Sequence, residues 1–366
     1  MGVSRKNLLG HGISRVLAID LSMIGDLVML SPALRTLRET YEEAYLALLA
    51  QPFAKELYRG GLVDEVIPYD KKGKDKGIRG LLRIAKEVRK RRFDAAFIFH
   101  KSFGSALIAY LAKIKIRVGY ATEMRSRLLT HKVELPTLPT HIVYENLNLL
   151  QSVGIQSKSE KLEIHPDFTR EESFLRWAIP QLKSNGDKPI IAVCPHGGWE
   201  TKNWSSAYIN RFLDLFPVNS AIFVLVGSPG EEKYAERIYS VTNNLINLVG
   251  KTTIRELCYV LKLADVLVSP DTSAVHIAQA LGTPVVALFG PTPPERCGPI
   301  STSLSTVISG NVNCLKCYLK KCSRQPFCMD TILPEKVKEA VDFYLLKSRP
   351  NIIQKQPLPE VLMSFN

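Results

Sequence analysis

Segments of strand length alternate with amphipathic segments of helix length along nearly the whole chain, and this alternation constrains the fold more than any other feature. Residues 15–20 (RVLAID), 45–50, 63–69, 93–100 and 116–119 read as strands. Helices are expected from Asp26, with Leu27, Leu30, Leu34 and Leu37 on one stripe, and over 80–91 and 102–112. Strands separated by helices cannot pair as hairpins, so the pattern predicts a parallel sheet with helices on both faces. The rhythm then changes. Residues 141–153 and 168–182 read as helices around a polar stretch, and 184–189 (SNGDKP) reads as a linker. A second series follows, with strands over 190–194, 221–226, 266–269 and 284–289. Its helices are expected over 206–216, 231–241, 254–263, 274–281 and 335–346. A chain of 366 residues is too long for one core. We therefore expect an α/β protein of two Rossmann-like domains facing a central cleft, 1–183 and 184–346, with a tail over 347–366. In open α/β sheets ligands sit beyond the carboxyl ends of the strands, so functional residues should follow strands.

Three segments do. Ile24-Gly25-Asp26 follows the first strand. Gly25 permits a tight turn, and Asp26 reads either as a helix cap or as a base at the cleft edge. His196-Gly197-Gly198-Trp199, then Thr201 and Lys202, follow residues 190–194. Paired glycines allow an anion close to the backbone, and a lysine can neutralise a phosphate. Asp271-Thr272-Ser273-Ala274-Val275-His276 joins a strand to a helix. Asp271 can cap that helix, and the N–H groups of Ser273, Ala274 and Val275 can hold a diphosphate. A histidine such as His276, in the first helical turn, is more often structural than catalytic. No dinucleotide fingerprint, no Walker motif and no Asp-x-Asp triplet is present.

The net charge of +13 calls for an anionic partner. Basic residues crowd 71–92, including Lys86, Arg89, Lys90, Arg91 and Arg92, and continue at Arg125 and Arg127. This surface reads as a contact for phosphorylated lipid or an anionic membrane. No recognised RNA or DNA motif accompanies it, so no nucleic-acid partner is expected. No run is long enough to span a bilayer and no export signal is evident at the start, which places the chain in the cytoplasm. Cys314, Cys317, Cys322 and Cys328 are closely spaced. They read as ligands for a structural Zn or Fe ion, as free thiols, or as disulfides.

IGDLVMLSPALRTLR, PHGGWETKNWS and SPDTSAVHIAQALGTPVVALFGPT, in this order, resemble the motifs of the glycosyltransferase family 9 heptosyltransferases over roughly residues 15–340. The resemblance implies a GT-B fold, an ADP-L-glycero-D-manno-heptose donor and a Kdo- or heptose-bearing lipid A acceptor. It implies an acceptor-binding first domain at the inner face of the inner membrane and a donor-binding second domain. A tail packing back on the first domain is also implied, as is catalysis without a cofactor. It puts the general base on Asp26, the diphosphate lysine on Lys202 and the donor-sugar aspartate on Asp271. The diphosphate cradle falls on Thr272, Ser273 and Ala274, and the family histidine on His276. The family usually has Gly where this chain has Ser273, which leaves other donor sugars open. A transferase using another nucleotide sugar, building O-antigen or modifying protein, and a non-catalytic sugar-nucleotide or lipid-binding protein are the alternatives.

Overall fold

The computed structural model describes residues 12–58, 60–168 and 188–348. The expected helix over 168–182, the domain boundary near 184 and nearly all of the tail lie outside these residues. The first lobe carries β1 (Arg15–Ile19), α1 (Ile24–Met29), α2 (Ser31–Thr40), β2 (Tyr45–Ala50), α3 (Ala54–Leu57), β3 (Glu65–Pro68) and α4 (Gly77–Lys90). It continues with β4 (Ala95–Ile98), α5 (Phe103–Leu111), β5 (Ile116–Tyr120), β6 (His131–Val133) and α6 (Ile142–Gln151). The second carries β7 (Ile190–Val193), α7 (Ser206–Asp214), β8 (Ile222–Leu225), α8 (Glu232–Ala235), β9 (Asn244–Asn247) and α9 (Ile254–Leu263). After these come β10 (Val266–Pro270), α10 (Ser273–Leu281), β11 (Val285–Phe289), α11 (Pro294–Cys297), β12 (Ser305–Ser309) and α12 (Pro334–Ser348).

Each lobe is one six-stranded sheet, in the order β3-β2-β1-β4-β5-β6 and β12-β11-β10-β7-β8-β9. Every pairing is parallel, as the alternation requires. The central strands are buried on both faces, which is why they read as continuous apolar runs. One apolar cluster runs through both lobes, from Leu27, Leu34 and Leu150 to Cys258 and Ile277. The outer face of each sheet has its own cluster, built on α4 and α5 in the first lobe and on α7 and α12 in the second.

Three departures from the sequence reading have local causes. The first helix is two helices, because Pro32 lies at the start of α2 and the Ser31 hydroxyl donates to Val28 O at 2.7 Å. The helix expected over 231–241 stops at Ala235. Beyond it Asp214 accepts from the Ser240 and Thr242 hydroxyls, and Ser240 accepts from the Asn243 N–H, bonds that compete with helix. Strands β6, β9 and β12 escaped the sequence reading. All three are sheet edges, short and partly exposed, where polar residues such as His131, Asn244 and Ser305 are tolerated.

Candidate functional site at the cleft between the lobes

From the first lobe, β1 is followed by Asp20, whose buried carboxylate accepts the Ser22 N–H at 2.9 Å. Burial pushes this carboxyl up to about 6. The chain then enters α1 with Met23 as its N-cap and no side-chain cap. Asp26 is the third helical residue, so it is not a cap; among the described residues nothing hydrogen-bonds its carboxylate. Burial raises its affinity for a proton; Lys101 and Arg296 oppose that shift, while Asp271 and Glu145 add to it. Gly25 has no positive φ. Its role is close approach: a Cβ there would lie 3.2 Å from Cδ2 of His276 across the cleft.

From the second lobe, the loop after β7 folds on itself. A Cβ on Gly197 would sit 2.2 Å from that of Lys202, so only glycine fits. Gly198 has φ of 75°, the left-handed region. The Gly197 N–H donates to Asn203 Oδ1 at 2.8 Å, and His196 Nδ1 lies 3.1 Å from Glu231 Oε1. Lys202 Nζ donates to Asp271 Oδ2 at 2.7 Å and stands 4.4 Å from the Trp199 ring centre. Asp271 therefore pairs with Lys202 and does not cap α10, whose N-cap is Thr272. The Thr272 hydroxyl is 2.9 Å from that of Ser269. The Val275 N–H donates to Thr272 O at 3.2 Å, which leaves Ser273 and Ala274 as the amides available to an anion. His276 is buried, and burial pushes its imidazole down to about 4, so it is neutral at physiological pH. Its Nδ1 has no partner among the described residues.

These groups line one cavity of about 850 Å³ between the lobes. Asp26 stands on one wall; Lys202, Asp271, Thr272, Ser273, Ala274 and His276 form the other, with His196, Gly197 and Gly198 beside them. Sequence reasoning missed further lining residues. Glu231, which accepts the Ser228 N–H at 2.9 Å, and Cys297, 3.7 Å from Asp271 Oδ2, face the same space. Thr253 lines it too, and its capping box with Glu256 was legible as Thr-x-x-Glu but looked like an ordinary helix start. Beside the cavity, Glu145 on α6 is buried and pairs with Lys101 of the first lobe and with Arg296 of the second, the latter at 3.6 Å.

Two expectations are corrected. Thr201 does not line the cavity; its hydroxyl donates to Leu319 O at 2.6 Å and pins the loop. Arg125 is not a surface residue. It is fully buried, and its guanidinium ties Tyr120 O (2.7 Å) to His100 O behind the strand ends. Of the other basic residues, Lys86, Arg89, Lys90, Arg92 and Arg127 are exposed. Arg91 is held by Glu65 and Glu87, each at 2.7 Å. Helix α4 starts at the cleft edge of the sheet and runs back toward the start of β4, so Lys86–Arg92 lie at the end remote from the cavity. Among the described residues no two cysteines are joined by a disulfide. Cys328 packs under Gly290 and Gly310, and Cys322 Sγ accepts the Arg324 N–H at 3.4 Å. Among the described residues no group of three or more His, Cys, Asp or Glu side chains is arranged to hold a metal ion.

A family model described as glycosyltransferase family 9 (heptosyltransferase) matches residues 81–327. Lipopolysaccharide heptosyltransferase 2 of Escherichia coli K12 is 26% identical over 298 residues, 78% of this chain and 86% of that protein. Lipooligosaccharide heptosyltransferase 2 of Campylobacter jejuni is 25% identical over 324 residues, 87% and 95% of the two chains. Among solved structures, a family 9 glycosyl transferase from Veillonella parvula superimposes with a TM-score of 0.79 at 21% identity, covering 93% of this chain and 99% of that one. The E. coli ADP-heptose lps heptosyltransferase II gives a TM-score of 0.73 at 22% identity, covering 91% and 99%.

Proposed function

The chain belongs to glycosyltransferase family 9, the heptosyltransferases, and from that premise we propose that it transfers a heptose from ADP-L-glycero-D-manno-heptose to the inner core of a lipid A-linked acceptor. One observation carries the reading. A carboxylate of one lobe, Asp26, faces across a single cavity the lysine, aspartate and helix start of the other, Lys202, Asp271 and α10. A cavity of about 850 Å³ is large enough for a nucleotide sugar.

The chemistry follows from the groups. A carboxylate whose proton affinity is raised by burial is a stronger base than a solvated one, and Asp26 takes the proton from the attacking acceptor hydroxyl. The sugar–phosphate bond breaks as the new glycosidic bond forms on the opposite face, with inversion. The departing diphosphate gathers negative charge, which Lys202 and the N–H groups of Ser273 and Ala274 stabilise. Lys202 is held by Asp271 here. When the diphosphate takes the lysine, Asp271 is released toward the donor-sugar hydroxyls. No step in this scheme uses a cofactor. The first lobe takes the acceptor, the second takes the donor, and the protein works at the cytoplasmic face of an anionic membrane; no described helix is long and apolar enough to cross one.

The test is incubation with ADP-heptose and defined truncated lipopolysaccharides, with products read by mass. Asp26→Ala should abolish transfer and leave ADP binding close to wild type. Full turnover by that variant would remove Asp26 from the base role.

A further inference from the structure

All six strands of the first sheet run the same way, so the segments that follow them emerge on one edge, the edge where Asp26 stands. Three of those segments carry large apolar side chains in water. Ile78 opens α4 after β3 and is 64% exposed; Leu82 lies one turn on at 50%. Phe103 opens α5 after β4 at 43%, and Met124, in the loop after β5, is 93% exposed. They form one neighbourhood. Helices α4 and α5 pack together, with Leu81 against Gly104. The Phe103 N–H donates to the Glu123 carboxylate at 2.8 Å, which brings the Met124 turn onto the start of α5. Glu123 and Met124 hold consecutive φ values of 46° and 56°. Side chains with a Cβ rarely adopt this left-handed conformation, so the turn that holds Met124 outward is strained rather than relaxed.

Exposed cations flank the patch on the α4 side. Lys71, Lys72, Lys74, Lys76 and Arg79 lie on the approach to α4 and its first turn. None of them has an ion-pair partner among the described residues, whereas Arg83, one turn further, is committed to Asp75. Apolar side chains beside a row of unpaired cations match the chemistry of an anionic bilayer surface: headgroups outside, acyl chains beneath. The patch also lies on the α4–α5 face of the sheet, away from the face that packs on the second lobe, so the lobes do not cover it.

We propose that Ile78, Leu82, Phe103 and Met124 enter the interfacial layer of an anionic membrane, and that this rim presents the open edge of the cleft to a lipid-borne acceptor. The inference rests on the acceptor reading above. It differs from a purely electrostatic contact through Lys86–Arg92, which lie at the remote end of α4. Charge brings the rim to the surface and weakens with salt. Buried apolar area holds it there and does not weaken.

The probe is co-sedimentation with vesicles of phosphatidylcholine alone or with about 30% phosphatidylglycerol, at about 0.05 M and about 0.5 M salt. The wild-type protein should bind the anionic vesicles at low salt and keep a measurable fraction at high salt. The triple variant Ile78→Ser, Phe103→Ser, Met124→Ser should lose about tenfold of the high-salt binding. Lys72→Gln with Lys74→Gln and Lys76→Gln should instead lose low-salt binding. Met124→Ser alone, at so exposed a position, keeps the experiment interpretable if the triple variant misfolds; it should lose part of the same fraction. Complete release of the wild type by salt, or high-salt binding by the apolar variants equal to wild type, overturns the proposal. Transfer to a deacylated, water-soluble acceptor separates this from the function itself. There the apolar variants should match wild type, while KM for vesicle-embedded acceptor rises. Equal KM on both acceptors counts against the rim. A wild type that uses neither acceptor refutes the heptosyltransferase reading instead. Apolar variants impaired on embedded acceptor, in a protein that binds no vesicle, would indicate a protein partner and overturn the membrane assignment.

Discussion

Replacing Gly25 by alanine tests the contact on which the geometry of the site depends. Gly25 is helical and has no positive φ, so alanine meets no backbone strain. By propensity the change should even stabilise α1, by about 0.5–1 kcal/mol. The opposing effect is steric. The new methyl would lie 3.2 Å from Cδ2 of His276 and 3.6 Å from the Ser273 Cα, so the imidazole must give by a few tenths of an ångström. The ring is buried and packed, and forced accommodation of a methyl costs about 1–3 kcal/mol. The two effects partly cancel, so the loss of stability should be no more than about 2.5 kcal/mol. Activity should suffer more, because the strain falls between Asp26 and the helix proposed to hold the donor. A misplacement of about 1 Å can cost about 100-fold, so a shift of a few tenths should lower kcat about tenfold. The assay is kcat for heptose transfer, with thermal melting alongside, in a double-mutant cycle with His276→Ala. Removing the imidazole removes the clash, so Gly25→Ala should cost nothing further in the His276→Ala background. Equal losses in both backgrounds, or an unchanged kcat in the single variant, would refute the reasoning.

Two further predictions follow from charge. In the proposed mechanism Asp26 must be ionised to act as the base, so activity should fall on the acid side, at a pH above that of an ordinary aspartate. Lys101 lowers the proton affinity of Asp26, so Lys101→Met should move this acid limb to higher pH; a pH–rate profile that does not move would contradict it. Asp20 rises from 3.8 to about 6 on folding, so the native state binds this proton more tightly than the unfolded chain. Its favourable contribution is complete below 3.8 and is lost as pH rises through about 6. Asp20→Asn, which keeps an acceptor for Ser22, should therefore gain stability relative to wild type between pH 4 and pH 7, by about 2 kcal/mol. Denaturant melts at the two pH values check this, and a pH-independent difference would exclude Asp20 as the source.

The parallel sheets were legible because their central strands are buried on both faces and leave long apolar runs, as in Leu46–Ala50 and Val285–Phe289. Edge strands carry no such signature, and Asn244–Asn247 has the composition of a turn. Within the site, Asp26, Lys202 and Asp271 could be found because each follows a strand, where the fold places ligands. The pairing of Lys202 with Asp271 could not, since 69 residues separate them and only the sheet order of β7 beside β10 brings them together. Glu145 was invisible for a similar reason. It sits in an ordinary amphipathic helix, and its importance comes from two cations supplied by different lobes. Arg125 shows the converse error. In sequence a guanidinium in a basic stretch looks like surface, and only the strand-end carbonyls reveal it as a strut.

The two halves of the site also constrain one another electrically. Asp26 and Asp271 are like charges across the cavity, and Asp271 raises the cost of ionising Asp26. Without donor, Lys202 compensates Asp271 directly at 2.7 Å. On the proposed reaction, a bound diphosphate draws that lysine away and adds negative charge of its own within the same low-dielectric space. Both changes raise the proton affinity of Asp26, so the base becomes stronger when a donor is in place. The opposing cations, Lys101 and Arg296, are paired with Glu145 and not with Asp271. They keep Asp26 able to ionise while its basicity rises. A base that strengthens only beside a loaded donor directs proton abstraction to the acceptor hydroxyl at the moment the leaving group is stabilised, which is the order that inverting transfer requires.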